Sequence, residues 1–468
     1  MLFNSLDFAI FFPIVFICYW FVFNKNLQLQ NLFLLAASYF FYSCWDWRFL
    51  FLLLFSTVVN YCFGIAINKR DAIKKRKLLL VIAILINAGI LAYFKYFNFF
   101  IENLVDVVSI FGTKLNASTF TILLPIGISF YTFQNIAYVT DVYRKHTIPI
   151  SDFLSFSLFI AFFPQVTSGP IERANHLMPQ INHNRIFNYP LAVDGMRMIL
   201  LGLFEKVVIA DNCGAVVTLI YDNFEQQSGS TLFWNAVIYS FQIYGDFSGY
   251  THMALGAAAL LGFRLFHNFN YPYLAINIAD FWRRWHISFS GWLRDYIYFP
   301  LGGSKKGRLI QVRNLAIVFV FSGIWHGANW TFVIYGCIHA TLYILYIFYK
   351  KWDTSPPTII GNCIAMAGTF TVLTLARVFF KAESVDKALE YFSIIFSTSL
   401  FTKPDLSRLM LLLLFGYLFL EWLQRDKKHL LDISFIKQAS ARYLIYIAIF
   451  LSILYFSGQS QSFVYFKF

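Results

Sequence analysis

The chain of 468 residues is 59% hydrophobic and 13% charged, whereas about a quarter of the residues of an ordinary soluble domain are charged. This composition excludes a soluble protein and predicts an all-α, polytopic integral membrane protein that has the lipid bilayer as its partner. The net charge of +13 comes from 37 Lys and Arg against 24 Asp and Glu. In membrane proteins such an excess marks cytoplasmic loops, so it does not predict a nucleic-acid partner.

Six cysteines occur without a CxxC pair, and most lie in apolar runs, where a cysteine acts as a small hydrophobic residue. We therefore expect no disulfide, no metal site and no permanently bound cofactor. Before the first apolar run the chain has Asp7 but no Lys or Arg, so it lacks the basic segment of a cleavable signal peptide. The first helix is expected to remain.

The first hundred residues contain four apolar runs and one strongly basic loop. Six Lys or Arg residues lie between Lys69 and Lys77, and the positive-inside rule places this loop in the cytoplasm. The four runs cover residues 6–23, 32–44, 48–67 and 78–100. Three crossings precede the loop, so the N-terminus is expected outside.

The next two runs are interrupted. Residues 120–138 include LPIGISFYTFQ, in which Pro125 and Gly127 predict a kinked helix. Residues 153–164 are short for a membrane span of about 20 residues. They end in FFPQVTSGPIER, which predicts a re-entrant or interrupted segment.

Charged residues also lie within the long runs that follow. Residues 191–220 contain Glu205 and Lys206, which point to different faces of a helix, so each is expected to meet another helix. Residues 234–263 contain YGDFSGYTHMALG, whose glycines permit close helix approach. Asp246 in this motif is expected either to pair with a buried cation or to act directly in catalysis.

The segment 281–330 carries the strongest signals for chemistry. His326 lies in an apolar run, 315–332, and an ionisable side chain inside a membrane indicates a functional site. A buried imidazole tends to be neutral and can accept a proton from a hydroxyl group, which makes His326 a candidate general base. His286, near three arginines, is a second candidate. The alternative for each is a structural hydrogen bond to a neighbouring helix.

The regions on either side of His326 have different predicted structures. Residues 274–310 contain no spanning run, and their aromatic and arginine residues predict helices in, or folding back from, the interface. Residues 315–349 predict one long helix or two shorter ones, with Gly323 and Gly327 admitting a backbone or a substrate. On one regular helix His339 lies about 220° from His326, so it is expected to face elsewhere.

Three more apolar runs follow, at 358–380, 409–422 and 443–456. A basic loop that includes Lys427 separates the last two and is expected in the cytoplasm. With these runs we expect about ten to twelve transmembrane helices, with re-entrant and interfacial helices around a central funnel.

Together the motifs resemble the bacterial branch of the membrane-bound O-acyltransferases, specifically the alginate O-acetyltransferase type of membrane subunit. The resemblance covers nearly the whole chain and rests on LPIGISFYTFQ, SGPIER, DFSGY, NFNYPY, WRRWHIS, WLRDYIYFPLGG, GIWHGANWTFV and ARVFFKA, the last containing Arg377. The chain departs from the family pattern at residues 166–168 and at His252. The resemblance implies one domain, 1–468, with a catalytic core at about 120–345. It also implies that His326 is the essential catalytic residue and His286 the second.

The resemblance further implies that acetyl groups pass from cytoplasmic acetyl-coenzyme A through the bacterial inner membrane to an extracytoplasmic polysaccharide. An extracytoplasmic SGNH-type or alginate-acetylation protein is the implied partner. Donor-binding candidates are Arg283, Arg284, Trp285, Lys305 and Lys306, because cations can attract the phosphates of coenzyme A. Ordinary positive-inside topology is the alternative explanation of these cations.

Other functions stay open at this point. GxSxG, Walker and HExxH motifs are absent from the sequence, so a serine hydrolase, an ATP-driven pump and a zinc protease lack their usual signals. D-alanyl transfer to teichoic acid shares the same histidine motifs with a different donor. A secondary transporter would also contain intramembrane charges, but we find no related halves. A structural membrane scaffold would not need His326.

Overall fold

The computed structural model describes residues 1–111, 122–352, 358–458, 461 and 463–464. All regular secondary structure in these residues is helical, which confirms the predicted all-α class. The chain forms two compact units, one of Met1–Ala192 with Ala257–Phe266 and one of Val193–Gly256 with His267–Phe468. The single domain with a core at about 120–345 stays a prediction.

The first unit contains eight α-helices within the described residues. They are α1 (Leu6–Ile17), α2 (Leu27–Ser43), α3 (Arg48–Asn68), α4 (Ile73–Ile110), α5 (Ile128–Tyr143), α6 (Phe153–Ala161), α7 (Phe163–Val166) and α8 (Ala174–Ile181). Polar side chains fix several of the starts. Asn26 accepts hydrogen bonds from the first turn of α2, and Asp152 does the same for α6.

The predicted kink at Pro125 and Gly127 is wrong, because the described helix begins only after both residues, at Ile128. Gly127 has φ +75°, a left-handed conformation that glycine adopts without strain. A Cβ at this position would also collide with the carbonyl oxygen of Val166. Residues 120 and 121 of the predicted run lie outside the described residues. The interruption predicted near Pro164 is confirmed, since α6 ends at Ala161 and α7 has only four residues.

The second unit contains most of the remaining helices, and the chain passes between the units within α9 and α11. The helices are α9 (Tyr189–Leu203), α10 (Asn212–Tyr221), α11 (Gly229–Leu260), α12 (Ile278–Arg284), α13 (Ile287–Leu293), α14 (Arg308–His326), α15 (Trp330–Trp352), α16 (Ile359–Lys381), α17 (Val385–Ile395), α18 (Arg408–Leu423) and α19 (Ala439–Phe456). A π-helical segment, Phe204–Asp211, joins α9 to α10.

Six of the described helices are long and apolar enough to cross a membrane: α3, α4, α14, α15, α16 and α19. Leu6–Val22 is a shorter apolar helix. Many large apolar side chains on α19 are exposed, as expected where lipid replaces water around the protein. The chain is therefore a polytopic membrane protein, and the larger number of ten to twelve spans stays a prediction.

Buried charges connect the π-helical segment to α11. Lys206 Nζ lies 2.7 Å from a carboxylate oxygen of Asp246 and 2.7 Å from one of Asp211. Glu205 contacts His252 of α11 and accepts a hydrogen bond from Tyr417 of α18. The predicted partner helices of Glu205 and Lys206, and the buried cation of Asp246, are thereby confirmed.

Glycines bring the backbones of the same elements close together. A Cβ on Gly202 of α9 would collide with the backbone of Gly249 on α11, and the reverse also holds. Any larger residue would therefore separate the two helices. This close approach and the ion pair of Asp246 together fix the DFSGY motif in unit two.

Candidate active site

His326 is the last residue of α14, at a tight turn into α15. Gly327 is extended, and the side chain of Asn329 accepts a hydrogen bond from the amide of Thr331 in the first turn of α15. A Cβ on Gly323 would collide with the carbonyl oxygen of Phe332, so glycine is needed where the two helices cross. The structure thus has two helices in this region rather than one. The close approach predicted at Gly323 is made by the backbone of α15, at the carbonyl group of Phe332.

Aromatic rings surround His326, whose side chain is almost fully buried. Its ring centroid lies 4.8 Å from that of Trp325, 5.0 Å from Phe380 and 6.2 Å from Tyr335. Such apolar surroundings exclude water, and electrostatic interactions are stronger there than in solvent. A proton transfer at His326 would therefore take place in a dry environment.

His286 lies in a strained turn between two short helices, α12 and α13. It has φ +45° and ψ +54°, a left-handed conformation that costs an ordinary residue about 1–2 kcal/mol. The side chain is fully buried. Burial lowers the pKa of His286 to about 3, because the charged imidazole would lose its hydration. His286 is therefore neutral at physiological pH.

Asn268, from the NFNYPY motif, holds this turn in place. Its backbone oxygen accepts a hydrogen bond from the amide of Ile287 at 2.9 Å, and its side-chain oxygen accepts one from Ser288 Oγ at 2.6 Å. Asn270 adds a backbone bond to Arg284 at 3.0 Å. Asn268 thus fixes the residues that follow His286. The role of Asn268 was not predicted from the sequence, where its place in the NFNYPY motif is the signal that could have indicated it.

The structure brings the two candidate histidines to one pair of rings. The ring centroid of His286 lies 5.0 Å from Phe289 and 5.8 Å from Trp325, and that of His326 lies 6.3 Å from Phe289 and 4.8 Å from Trp325. Phe247 of the DFSGY motif also packs against His286, at 4.7 Å. Three separate sequence motifs therefore meet around two imidazoles.

The prediction that His339 faces elsewhere than His326 stays a prediction, because the two residues lie on separate helices. His339 lies on α15, and its ring centroid is 4.4 Å from that of Tyr335, which also contacts His326. The angle of 220° applies only to one continuous helix, whereas residues 327–329 separate α14 from α15. A third histidine therefore shares one aromatic neighbour, Tyr335, with the candidate base.

The five donor-binding candidates do not share one environment. Trp285 is buried, whereas Arg283, Lys305 and Lys306 are exposed. Arg283 and Arg284 both lie within ion-pair distance of Asp280, at 3.4 and 3.1 Å. Their role in binding coenzyme A stays a prediction, and Trp285 belongs to the buried aromatic region rather than to the exposed basic surface.

Arg377 of α16 lies over Trp285. Its guanidinium carbon is 5.1 Å from the ring centroid of Trp285, 5.1 Å from Tyr273 and 5.7 Å from Phe281. In the sequence, Arg377 stands out only as the charged residue of the ARVFFKA motif. In the structure, its guanidinium lies in the same buried aromatic region as the two histidines and adds a positive charge to it.

This arrangement suits transfer of a small group between two substrates. It places two buried imidazoles against the same stacked pair of rings, Phe289 and Trp325, with one imidazole at the junction of two candidate spans. It also adds the cation of Arg377 in the same aromatic region. An imidazole can take and return a proton, and aromatic walls exclude the water that would hydrolyse a reactive acyl group.

Comparisons with known proteins agree with this reading. Residues 144–359 match the model of the membrane-bound O-acyltransferase family. A peptidoglycan O-acetyltransferase of Helicobacter pylori is 36% identical, over 83% of this chain and 79% of the relative. A "probable alginate O-acetylase" of Azotobacter vinelandii is 37% identical, over 82% and 76%. A teichoic acid D-alanyltransferase of Bacillus subtilis is 33% identical over 49% of this chain and 60% of the relative. The chain thus belongs to the membrane-bound O-acyltransferase family and is an O-acyltransferase.

Proposed function

We propose that this enzyme moves acetyl groups from cytoplasmic acetyl-coenzyme A across the bacterial inner membrane for O-acetylation of an extracytoplasmic polysaccharide. The observation that carries the proposal is the pairing of His326 and His286 around Phe289 and Trp325. The relatives named for alginate and peptidoglycan acetylation support the acetyl group and the polysaccharide.

In this proposal His326 is the general base. The acceptor hydroxyl gives its proton to an imidazole nitrogen while its oxygen attacks the carbonyl carbon of the thioester. When the carbon–sulfur bond breaks, the same proton goes to the departing thiolate. His286, held by Asn268 in its strained turn, positions the reacting groups beside His326. Such positioning requires a rigid turn, and the buried hydrogen bonds of Asn268 supply one.

The proposal requires access to His326 from both membrane faces. Coenzyme A is too highly charged to cross hydrocarbon, and the polysaccharide lies outside. A water-accessible funnel toward His326 is therefore part of the proposal. The exposed cations Arg283, Lys305 and Lys306 are suited to attract the coenzyme A phosphates at its entrance.

An extracytoplasmic partner protein completes the proposed pathway. The acceptor site of a long polysaccharide needs an extended binding surface, and a separate SGNH-type or alginate-acetylation protein would supply it. The membrane enzyme would then hand the acetyl group to that protein or acetylate the polysaccharide with its help.

Sealed vesicles of known orientation test the direction of transfer. Labelled acetyl-coenzyme A is supplied on the cytoplasmic face, and the acceptor and partner protein are confined to the other face. The proposal expects label on the acceptor with the wild-type enzyme and none with His326→Ala. His183→Ala is a matched control, because His183 is exposed and its ring contacts only the carbonyl of Pro179 among the described hydrogen bonds. Transfer that needs both substrates on one face would contradict the through-membrane route.

D-alanyl transfer to teichoic acid is the second candidate, supported by the Bacillus subtilis relative. Its donor would be a D-alanyl carrier protein instead of acetyl-coenzyme A. Supplying each donor alone to the same vesicles separates the two functions, since only the true donor labels an acceptor. A secondary transporter and a scaffold are no longer candidates, because the family is one of acyltransferases.

A further inference from the structure

Arg377 is a buried cation whose terminal nitrogens make no hydrogen bond to any residue that the structure describes. Its side chain is only 2% exposed, and neither terminal nitrogen has a hydrogen-bond partner among residues 1–111, 122–352 and 358–464 where these are described. The same described residues contain no carboxylate within ion-pair distance of it. A guanidinium offers five N–H donors, so most of the binding capacity of Arg377 is unused.

The aromatic rings around Arg377 explain how the charge is tolerated but not what it binds. Tyr273, Phe281 and Trp285 each lie within 5.7 Å of the guanidinium carbon, a geometry that stabilises a cation through the ring faces. A ring that faces the guanidinium plane does not accept hydrogen bonds from N–H groups that lie within that plane, so these donors stay unsatisfied. A buried donor without an acceptor is costly, and such groups in native proteins call for an explanation.

The position of Arg377 relative to His326 indicates what the missing acceptor is. Phe380, one turn further along α16, packs directly against His326 at 5.0 Å and against Tyr335 at 5.3 Å. His339, which contacts Tyr335, also has neither ring nitrogen hydrogen-bonded within the described part of the chain. Unused donors and the candidate base therefore lie in one buried aromatic region, in which α16 carries both Arg377 and the Phe380 ring that contacts His326.

We propose that Arg377 binds the carbonyl oxygen of the acyl group and stabilises the negative charge that this oxygen gains during transfer. The inference rests on the proposed function of the site as an acyl-transfer centre. It assigns Arg377 as a second catalytic residue beside the base His326, with His286 as positioning residue.

The chemical step balances with these groups. The acceptor oxygen forms a bond to the carbonyl carbon, its proton moves to His326, and the electron pair of the C=O double bond moves onto the carbonyl oxygen beside Arg377. The double bond then forms again, the carbon–sulfur bond breaks, and the thiolate takes the proton from His326. The products are an ester and a free thiol, and no oxidant or further reactant is needed.

Size and burial favour a single oxygen over a larger anion. The phosphates of coenzyme A are multiply charged and strongly hydrated, whereas Arg377 is enclosed by rings and only 2% exposed. A charge that exists only in the transition state avoids this desolvation in the ground state, and donors in a dry site stabilise it most effectively. The competing ligand for Arg377 is a permanent carboxylate on the acceptor. Such a carboxylate would bind equally in the ground state and in the transition state.

Two substitutions of similar length separate charge from packing. Arg377→Lys keeps a cation, and Arg377→Met fills the same space without one. We expect Arg377→Met to lower kcat by about 100-fold or more, as for loss of an oxyanion donor, with KM for donor and acceptor within about twofold of wild type. Arg377→Lys should recover at least about tenfold of that loss. Arg197→Met is the matched control, because Arg197 is half-buried and already donates to Tyr446.

Equal kcat values for the lysine and methionine variants would overturn the proposal, because charge would then be irrelevant. A loss that appears only in KM of the acceptor would also overturn it, in favour of a ground-state carboxylate. If Arg377→Met does not fold, Arg377→Gln replaces it as the uncharged variant: a kcat equal to that of Arg377→Lys overturns the assignment, and a kcat at least about tenfold below that of Arg377→Lys supports it. A donor other than acetyl-coenzyme A would refute the proposed function but leave this test intact, since every acyl donor carries the same carbonyl oxygen.

Discussion

His286 and His326 are forty residues apart in the sequence, and their rings contact the same two side chains, Phe289 and Trp325. Phe289 and Trp325 are themselves stacked, with ring centroids 4.2 Å apart. The stacked pair links the short helix α13 to the end of α14, so neither histidine can shift without disturbing the packing of the other. This relationship makes the two imidazoles one structural unit.

His326→Ala should abolish acyl transfer while the protein stays folded in the membrane. The substitution removes the proposed base, and loss of general-base catalysis costs about 10²- to 10⁴-fold in rate. Initial rates of acetyl transfer by purified enzyme, with thermal unfolding of the same samples, measure both effects. Near wild-type turnover by a folded variant would refute the assignment, and His183→Ala should match the wild type.

Asn268→Ala should lower kcat although Asn268 is not proposed to touch a substrate. The change removes the acceptor of Ser288 Oγ and loosens the turn at His286, and a catalytic group displaced by about 1 Å can cost roughly 100-fold in rate. The control is Asn270→Ala, since Asn270 is exposed and stabilises the turn through its backbone amide. The prediction fails if the two variants have the same kcat.

Asp246→Ala should destabilise the protein strongly. It leaves Lys206 with only one of its two carboxylates and removes the acceptor of the Val464 amide, and breaking a buried ion pair typically costs about 3–5 kcal/mol. Since Asp211 remains, the lower end of that range is expected. Unfolding midpoints in detergent provide the measurement. The exposed pair of Lys387 and Glu390 is the comparison, and Glu390→Gln should change the midpoint little. Equal midpoints for both variants would contradict a structural role for Asp246.

Acid should destabilise the wild-type protein partly through His286. The pKa of His286 in the folded protein is about 3, below the unfolded value of 6.5, so the folded state binds fewer protons between these limits. The stability that comes from keeping His286 neutral is complete above pH 6.5 and is lost progressively toward pH 3. One such group contributes about 1.4 kcal/mol per pH unit, hence roughly 2–3 kcal/mol between pH 6.5 and 4.5.

The variant His286→Gln should therefore lose less stability than the wild type over this pH interval. Parallel pH profiles of the two proteins would show that His286 is not buried as neutral imidazole.

The sequence predicted the helical class, most helix positions and the two candidate histidines. It succeeded for Glu205, Lys206 and Asp246 because a charge in an apolar run must find a partner, whatever the detailed fold. The interruption near Pro164 was predictable for a similar reason, since the apolar run is too short and proline removes a backbone donor.

Some helix boundaries and long-range contacts were not predicted from the sequence. Gly127 starts a helix rather than kinking one, because its left-handed backbone brings it against Val166. His326 and His339 lie on separate helices because the chain changes direction at residues 327–329. Asn268 and Arg377 act through contacts with residues far away in the sequence, and periodicity carries no information on such contacts. Their roles therefore had to come from the structure.

The orientation of the chain is the last prediction. Lys74 and Lys427 are exposed residues in the two basic loops assigned to the cytoplasm, whereas Asn4 precedes the first apolar helix and is expected outside. Single cysteines at these three positions report the orientation in intact cells treated with an impermeant thiol reagent. Asn4→Cys should react directly, and Lys74→Cys and Lys427→Cys should react only after the inner membrane is opened.

Native cysteines must be replaced first, because Cys44, Cys62, Cys337 and Cys363 are exposed and would react wherever the reagent reaches them. Acetyl transfer by the cysteine-free protein shows that its fold is preserved. Reaction of Lys74→Cys or Lys427→Cys in intact cells would invert the orientation, and coenzyme A would then have to approach His326 from the opposite end of α14.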